Sequence, residues 1–377
     1  MTTPNPIKVL HVVDSMGAGG MENGIANLSH HLPTENFDLH VCCIRTGGII
    51  GERLKHPSQL YEINKPPGFS FRCVKQLRKI TQKLQPDIIH THNLGPLIYA
   101  SLSTCMGKKW KILHGEHAEL FGTELSLRRK KIRKLMYRRC RAIHCVSAQL
   151  TKQIASHGFG HENLHTIPNG VDTSKFTPAY DKSRARDKLP IKGITDDSFL
   201  IGVVGRFGPM KGHSLLLQAF EELASRQAQP SLIIAGDGGP EKARILQQIS
   251  KSKYKDRIHW LGFQKNMVAV YQAIDLLVSP SFNEGMSNAV LEAMACSVPV
   301  LANKACGNSE ILSRTGGGTV SSMEGASDLA EQLACTLRNK DQLITQGAAG
   351  REAVNTVFSI SKMADNYGAL YHSLACQ

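Results

Sequence analysis

The stretch Asp275–Leu301, DLLVSPSFNEGMSNAVLEAMACSVPVL, contains two short apolar runs separated by a polar loop and a helix-forming segment. The first run, Asp275–Val278, predicts a buried strand, and the Ser-Pro-Ser sequence after it predicts a turn. The second run, Val298–Leu301, predicts another strand. Two strands separated by a helix are typical of a parallel sheet in an α/β protein.

The same alternation extends through both halves of the chain and predicts two Rossmann-like, doubly wound domains. The segment Ile167–Pro178, IPNGVDTSKFTP, and the polar residues 179–197 after it predict the linker. We therefore expect a first domain over 1–175 and a second over 176–357. The other predicted strands are Lys8–Val13, Asp38–Ile44, Asp87–His90, Lys111–Leu113, Ala142–Val146, Phe199–Val204, Leu232–Ala235 and Ile258–Leu261.

Glu284 and Glu292 lie eight positions apart across the start of the predicted helix. This spacing is just over two helical turns, so it places both carboxylates on one face, about 12 Å apart along the axis. A structural alternative is that Glu284 complements the helix dipole and Glu292 is solvated, but the apolar neighbours of Glu292 argue against a solvated face. The residues between the acids present backbone N–H groups to a phosphate at the positive end of the dipole; they are Gly285, Met286, Ser287 and Asn288.

The stretch around these acids resembles the E-x7-E signature of the retaining glycosyltransferases of family four, which have the GT-B fold. The resemblance implies two Rossmann-like domains facing across a cleft, with a C-terminal helix over about 358–377 packed back on the first domain. It also implies that a nucleotide-diphosphate sugar binds in the cleft and that its sugar passes to an acceptor hydroxyl with retained anomeric configuration. In this family, the acid matching Glu292 binds the ribose and the acid matching Glu284 binds the sugar.

A second motif, GRFGPMKG at Gly205–Gly212, directly follows a predicted strand. The spacing allows Arg206 and Lys211 to converge on a diphosphate, which carries about two negative charges. The matching cations of the family bind the donor diphosphate and stabilise it as the leaving group. A surface role is the alternative for either cation alone.

The loop after the first strand, DSMGAGGMEN at Asp14–Asn23, is rich in glycine and leads into a helix predicted to begin near Met21. It matches neither G-x-G-x-x-G nor G-x-x-x-x-G-K-S/T, which argues against a dinucleotide dehydrogenase and a P-loop NTPase. It resembles the G-G-x-E loop of the family, so Gly19 and Gly20 are expected to line the donor phosphate and the acceptor cleft. A simple turn is the alternative.

Two loops of the second half, AGDGG with Gly236 and LGF with Phe263, match the loops that line the nucleotide base pocket of the family. Tight turns explain their glycines equally well. Because the contacts that choose the base and the sugar come from such loops, the identity of the donor stays open.

Four histidines of the first half lie at predicted strand ends, where open parallel sheets bind ligands. The family carries one catalytic histidine near the anomeric carbon, and spacing leaves both His114 and His117 of KILHGEHAE as candidates. The E-H pair followed by a small residue favours His117. His90 and His92 either contact the acceptor or are satisfied core histidines.

The formal charge of +14 predicts an anionic partner. The most basic segment, Arg128–Arg141, carries apolar residues at helical spacing, which predicts an amphipathic helix that lies on an anionic membrane. The alternative is a solvated basic face that packs its apolar side on the core. A nucleic-acid partner is disfavoured because no binding motif accompanies the charge.

The ten cysteines are scattered, and neither they nor the histidines form a metal-binding motif. D-x-D is also missing near the strand ends, so we predict no metal and no cofactor other than the nucleotide-sugar co-substrate. The chain contains no apolar run of the roughly 18 residues that a membrane span needs and no signal-peptide pattern. We expect a cytoplasmic enzyme, peripheral on the inner face of the plasma membrane.

HGEH together with EGMSNAVLEAMA also resembles the sugar transferases of bacterial exopolysaccharide systems. This resemblance implies a sugar acceptor or a lipid-linked acceptor, and a polyprenyl diphosphate lipid would fit the basic segment. Two other hypotheses remain. One is a nucleotide-sugar epimerase or hydrolase on the same fold, and the other is a non-catalytic nucleotide-sugar binding subunit.

Overall fold

The computed structural model describes residues 5–105, 110–195, 197–227, 229–304 and 307–377. The chain divides into two compact units. The first unit runs through Gly170 and includes Ile360–Gln377, and the second unit is Val171–Ser359. Strands and helices are numbered along the chain.

The first unit contains a seven-stranded parallel sheet in the order β3-β2-β1-β4-β5-β6-β7. Its central strands are almost entirely buried because helices cover both faces, and they carry histidines among their apolar residues. The strands are β1 Ile7–Val13, β2 Phe37–Cys43, β3 Leu60–Glu62, β4 Ile88–His92, β5 Lys111–Glu116, β6 Ala142–Cys145 and β7 Leu164–Thr166. The helices are α1 Gly20–His31, α2 Gly48–Gly51, α3 Phe71–Leu84, α4 Leu94–Ser103, α5 Leu127–Tyr137, α6 Ala148–Ile154 and α15 Ile360–Cys376.

Helix α15 is part of the core of the first unit, although it lies at the other end of the chain. Tyr371 is fully buried, and Leu374 packs in one cluster with Val9 of β1 and Ile88 of β4. The prediction that the C-terminal helix packs on the first domain is therefore confirmed.

The second unit contains a six-stranded parallel sheet in the order β10-β9-β8-β11-β12-β13. The strands are β8 Phe199–Val204, β9 Pro230–Ala235, β10 Ile258–Gly262, β11 Leu276–Ser279, β12 Val300–Asn303 and β13 Gly318–Ser321. The helices are α7 Lys182–Asp187, α8 His213–Arg226, α9 Lys242–Lys251, α10 Met267–Ala273, α11 Asn288–Ala295, α12 Gly307–Thr315, α13 Ala326–Arg338 and α14 Lys340–Thr356. The prediction of two Rossmann-like domains is confirmed.

Three strands were not predicted from the sequence: β3, β7 and β13. Each is a short edge strand whose residues stay partly exposed, so none carries a run of buried apolar residues. The division between the units also differs from the predicted boundaries at 175 and 357. Val171 pairs with Ser359 in a parallel bridge, and its N–H donates to the carbonyl of Phe358. The bridge belongs to the second unit, and both points at which the chain passes between the units lie next to it.

The strand order reverses once in each sheet, between β1 and β4 in the first unit and between β8 and β11 in the second. Where the order reverses, the loops that follow the two adjacent strands lead to helices on opposite faces of the sheet. A crevice opens between these loops at the carboxyl ends of the strands, and ligands of open parallel sheets bind there. Across the described ranges, no helix combines the length and the apolar character that a bilayer crossing requires.

Candidate functional site

The loop after β8 carries the two predicted diphosphate ligands at the switch point of the second sheet. Phe207 is fully buried and anchors the loop between Arg206 and Lys211. Gly212 ends the loop with φ of 70°, a conformation that favours glycine, and α8 begins at the next residue. Arg206 is exposed, and within the described ranges no carboxylate lies at ion-pair distance from it.

Lys211 and Glu284 form an ion pair across the switch point, with 2.6 Å between Nζ and Oε2. The lysine follows β8 and the acid follows β11, so residues 73 positions apart meet where the strand order reverses. Both side chains are partly exposed, which leaves the pair open to exchange with an anionic ligand. The sequence selected both residues but did not predict that they bind each other.

Glu284 is not part of the helix that the sequence predicted around it. Helix α11 begins at Asn288 with Ser287 as its N-cap, so the residues from Glu284 to Ser287 form a loop. The helical rise that gave a separation of about 12 Å along one axis therefore does not extend to Glu284. The loop is held by the start of α12, because the N–H of Gly307 donates to the carbonyl of Glu284 at 2.9 Å.

Glu292 is the acid that lies on α11, and its carboxylate is partly buried. Its Oε2 accepts a hydrogen bond of 2.8 Å from the hydroxyl of Tyr271, which lies on α10. Burial and the charge of Glu292 raise the pKa of Tyr271, so the phenol stays protonated and donates. Glu292 is therefore held in place rather than solvated.

Glycines allow the loops after β8, β9 and β10 to approach each other closely. A Cβ on Gly236 would lie 2.0 Å from the carbonyl oxygen of Gly205, and the N–H of Gly236 donates to the carbonyl of Gly262. Phe263 follows at the end of β10 and is 51% exposed, so its ring is available to a ligand. The predicted base-pocket loops are thus neighbours.

Trp260 is a candidate that the sequence analysis missed. Its indole N–H donates to the carbonyl of Gly236 at 2.9 Å, and the ammonium group of Lys242 lies 5.3 Å from the ring centroid. A partly exposed tryptophan near these loops could stack on a nucleobase. Its position in the sequence, before the LGF motif, was the available signal.

The glycine-rich loop of the first unit lies at the carboxyl end of β1, beside the other switch point. Gly19 is the N-cap of α1, which begins at Gly20. A Cβ on Gly19 would lie 2.2 Å from a carboxylate oxygen of Glu22, so the acid folds over the loop. This arrangement explains the G-G-x-E spacing as a compact turn at a helix start.

The two candidate histidines of β5 have different surroundings. His114 is fully buried, with one ring nitrogen 2.9 Å from the hydroxyl of Thr91 and the other 3.2 Å from Glu116. His117 comes directly after the strand and is only partly buried. Burial nevertheless lowers the pKa of His117 to about 4, so its imidazole is neutral at pH 7. His117 is the one of the two that a ligand can reach.

Glu116 is a buried carboxylate held by three donors. Tyr137 donates to its Oε1 at 2.6 Å, and Arg133 donates at 3.2 Å. Burial alone would raise the pKa of Glu116, but the hydrogen bond and charge of His114, together with Arg133, hold it at about 2. No sequence motif indicated this network, because Arg133 lies in the segment predicted as a membrane helix.

Four further histidines gather on the strands of the same sheet: His11 on β1, His90 and His92 on β4, and His144 on β6. All four are buried. Burial and the neighbouring histidines lower the pKa of each one, to about 3 for His11. The histidines are neighbours because their strands pair, which no local motif reveals. His11, His90 and His92 lie close enough together to form a metal site, and so do His92 and His144 together with His117.

A cavity of about 800 Å³ opens in the first unit beside Glu116. Apolar side chains line part of it, including Leu94, Ile98 and Phe121. Three arginines, Arg128, Arg129 and Arg133, face three glutamates, Glu116, Glu119 and Glu124, and Arg129 is ion-paired with Glu124. The cavity therefore suits a ligand with both an apolar and a polar part.

The basic segment predicted as one helix over Arg128–Arg141 is shorter and more buried than expected. Helix α5 ends at Tyr137, and Arg133 is buried against Glu116 and Glu124. Met136 and Cys140 also pack inward, which supports the alternative of a face packed on the core. Helix α5 still presents two apolar side chains among exposed basic residues: Leu127 is 79% exposed and Leu135 is 58% exposed.

The chain matches two family models, one for each half. Residues 18–175 match the model described as Glycosyltransferase Family 4, and residues 185–353 match that of Glycosyl transferases group 1. The chain is 25% identical over 390 residues to the UDP-Gal:alpha-D-GlcNAc-diphosphoundecaprenol alpha-1,3-galactosyltransferase of Escherichia coli, with 98% of each protein covered. It is also 25% identical to the N-acetyl-alpha-D-glucosaminyl L-malate synthase of Bacillus anthracis, over 83% of this chain and 82% of that protein.

The structure is similar to that of Anabaena Alr3699/HepE in complex with UDP and glucose. The TM-score is 0.81 at 18% identity, and the match covers 97% of this chain and 100% of the other. The structural match shows the GT-B fold. Because the two family models together match most of the chain, it belongs to the family 4 glycosyltransferases. It is an enzyme that uses a nucleotide-sugar donor.

We predict that Gly212→Ala lowers the free energy of unfolding of the second unit more than Gly238→Ala does. Both glycines have φ of 70°, so both variants incur the same backbone cost of about 1–2 kcal/mol. Only at Gly212 would the new Cβ lie 2.2 Å from the carbonyl oxygen of Pro280, whereas nothing lies within 4 Å at Gly238. Overpacking adds about 1–3 kcal/mol at the first site. Urea denaturation that gives equal losses would contradict this packing.

We also predict that the first unit loses stability as pH falls below 6.5. The unfolded chain protonates its histidines near pH 6.5, whereas the buried ones stay neutral until pH falls far lower. The free energy of unfolding therefore falls with pH, by up to about 1.4 kcal/mol per pH unit for each such histidine. Above pH 6.5 these groups contribute no slope.

The two tryptophans allow each unit to be measured separately, since Trp110 lies in the first unit and Trp260 in the second. Urea denaturation of Trp260→Phe reports the first unit, and that of Trp110→Phe reports the second. Between pH 6.5 and 5 the first unit should lose more stability, because its buried histidines outnumber those of the second unit in the described ranges. Equal slopes for the two variants would show that the histidines are not buried as neutral groups.

Proposed function

We propose that this enzyme transfers a sugar from a nucleoside-diphosphate sugar with retention of anomeric configuration, using Arg206 and Lys211 to bind the donor diphosphate. The observation that carries the proposal is the pairing of Lys211 with Glu284 at the switch point, beside the loop that carries the exposed Arg206. A cation held by an exchangeable carboxylate is suited to binding an anion that arrives with the substrate.

The ion pair suggests how donor binding rearranges the site. A diphosphate carries about two negative charges, so it competes with one carboxylate for Lys211. Once Lys211 turns to the phosphate, Glu284 is free to accept hydrogen bonds from sugar hydroxyls. Glu292, held by Tyr271, is suited to accept from ribose hydroxyls. The donor thus replaces one charge pair by another at little electrostatic cost.

In the proposed reaction, the bond between the anomeric carbon and the diphosphate oxygen breaks as the acceptor oxygen bonds the same face of that carbon. The acceptor proton passes to the departing diphosphate. Arg206 and Lys211 offset the charge that develops on this leaving group, which is the kind of electrostatic stabilisation that often dominates catalysis. This scheme requires neither a metal nor a cofactor.

The cavity of the first unit supports an acceptor that combines a lipid with a phosphate or diphosphate. Its apolar walls suit a hydrocarbon chain, and the exposed Arg128, for which the described ranges hold no ion pair, suits the anionic group. The Escherichia coli relative is named for a diphosphoundecaprenol acceptor. We infer the same acceptor class here, and with it a role in exopolysaccharide or glycolipid synthesis at the cytoplasmic face of the membrane.

We predict that Arg206→Met lowers kcat/KM at least about a hundredfold, because it removes a charge contact to the leaving group. UDP, GDP and ADP sugars are first screened by thermal shift, and turnover is then measured with the donor that stabilises the protein. The matched control is Arg338→Met, which removes an exposed arginine from α13 of the same unit and should leave turnover unchanged.

Glu292→Ala should reduce the thermal shift caused by the donor, whereas Glu324→Ala, at an exposed site, should not.

Product analysis separates the competing functions. Release of free sugar or an epimerised donor without an acceptor would favour the epimerase or hydrolase, and donor binding with no product would favour a binding subunit. Unchanged turnover in Arg206→Met would contradict the diphosphate role.

We predict that the exposed residues of α5 and the segment after it bind anionic membranes. The triple variant Lys131→Glu, Lys134→Glu and Arg138→Glu should abolish flotation with vesicles that contain anionic lipid, because it reverses charge beside Leu127 and Leu135. The matched triple variant in the second unit is Lys251→Glu, Lys253→Glu and Lys255→Glu, which changes net charge equally and should still float. Equal flotation of both triple variants would contradict the assignment of the surface.

A further inference from the structure

Five buried or partly buried histidines and one tyrosine form a single hydrogen-bonded chain through the sheet of the first unit. It starts at His117, whose Nε2 lies 2.8 Å from Nδ1 of His92, and His92 Nε2 lies 2.9 Å from Nδ1 of His11. The chain continues from His11 Nε2 to the hydroxyl of Tyr371 at 3.3 Å.

The second half of the hydrogen-bonded series runs from the Tyr371 hydroxyl to His144. The Tyr371 hydroxyl lies 2.8 Å from His90 Nδ1, and His90 Nε2 lies 2.8 Å from His144 Nε2. Within the described ranges, Nδ1 of His144 is buried and has no hydrogen-bond partner. We refer to the six side chains as the histidine relay.

Gly115 allows two members of the relay to lie over β5. A Cβ at this position would lie 2.5 Å from Nε2 of His144 and 2.9 Å from Nε2 of His117. Any other residue would therefore push these rings apart. The packing of the two rings therefore requires the glycine of the HGEH sequence, which the sequence alone did not reveal.

Counting protons shows that the six groups are coupled. Five neutral imidazoles and one phenol carry six N–H or O–H protons, and the chain contains five hydrogen bonds, each of which uses one proton. One proton is left over, and it lies on Nδ1 of His117, on Nδ1 of His144, or on the Tyr371 hydroxyl if that oxygen accepts from both His11 and His90. The tautomers of His117, His92 and His11 therefore reverse together, and so do those of His90 and His144.

Burial decides the direction of the relay. A proton on His144 Nδ1 would be a buried N–H donor without an acceptor in the described ranges, which costs free energy. A Tyr371 hydroxyl that donated to neither His11 nor His90 would likewise be a buried donor without an acceptor there. The remaining arrangement places the sixth proton on Nδ1 of His117.

We propose that the histidine relay fixes His117 as the neutral Nδ1–H tautomer, so that this histidine presents a hydrogen-bond donor rather than a base to the ligand at the end of β5. Tyr371, on the C-terminal helix, is a positioning residue that holds the relay in this direction. This assignment rests on the proposed function only for the identity of that ligand.

A metal ion is the competing occupant, because the histidines lie close enough to bind one. The ring nitrogens are 2.8–2.9 Å apart along the relay, which is a hydrogen-bond distance. Tetrahedral zinc with bonds of about 2.0–2.1 Å would separate its ligand nitrogens by about 3.3 Å. The spacing therefore favours imidazoles that bind each other.

The direct test measures tautomers by long-range proton–nitrogen NMR of protein labelled with ¹⁵N-histidine, with signals assigned by single His→Gln variants. His117, His92, His11 and His90 should be Nδ1–H tautomers, and His144 should be the Nε2–H tautomer. The experiment uses the protein without ligand, so its result does not depend on transferase activity.

Tyr371→Phe tests the positioning role, because it divides the relay without removing a ring. We expect His117 to become a mixture of tautomers and kcat to fall about ten- to hundredfold at nearly unchanged KM. The matched control is Tyr367→Phe, one turn earlier on α15, whose hydroxyl makes no relay bond in the described ranges. It should change neither tautomers nor kcat.

Four results would overturn the proposal: His117 as the Nε2–H tautomer, independent tautomers along the relay, stoichiometric zinc in the purified protein, or equal effects of Tyr371→Phe and Tyr367→Phe. If Tyr371→Phe does not fold, the tautomers of the unmodified protein still test whether the relay fixes His117 as the Nδ1–H tautomer. Correct tautomers in a protein without transferase activity would leave the relay intact and contradict the proposed function instead.

Discussion

Parallel strand pairing is the constraint on which both units depend. Because every strand of a parallel sheet ends at the same edge, loops that are distant in sequence meet there, and the reversal of strand order opens a crevice between them. In the second unit this brings Lys211 of the β8 loop to Glu284 of the β11 loop. The glycines at these strand ends have positive φ or no room for a Cβ, so the loops pack backbone against backbone.

The first unit uses the same edge for a different kind of chemistry. Its strands place neutral histidines side by side in the core, and one ionised carboxylate, Glu116, is held between Arg133 and Tyr137. Neutral imidazoles avoid the cost of burying charge, provided that their nitrogens bond each other. Helix α15 supplies the hydroxyl that links two parts of this network, which gives the return of the C-terminal helix a chemical as well as a packing role.

The sequence predicted much of this fold because buried parallel strands are continuous apolar runs, as at Phe199–Val204. It missed β3, β7 and β13, whose partly exposed edges carry no such run. It selected Arg206, Lys211, Glu284 and Glu292 from spacing and resemblance, but it extended the helix of Glu292 back to Glu284. The ion pair and the histidine relay were beyond it, since both depend on which strands become neighbours.

We propose that the β8 loop binds the diphosphate of the donor through Arg206 and Lys211, and a crystal structure of the protein with a nucleoside diphosphate tests this proposal. Phosphate oxygens should lie at about 3 Å from Lys211 Nζ and from the guanidinium group of Arg206, with Glu284 no longer bound to the lysine. A diphosphate bound elsewhere, with the pair between Lys211 and Glu284 intact, would contradict it.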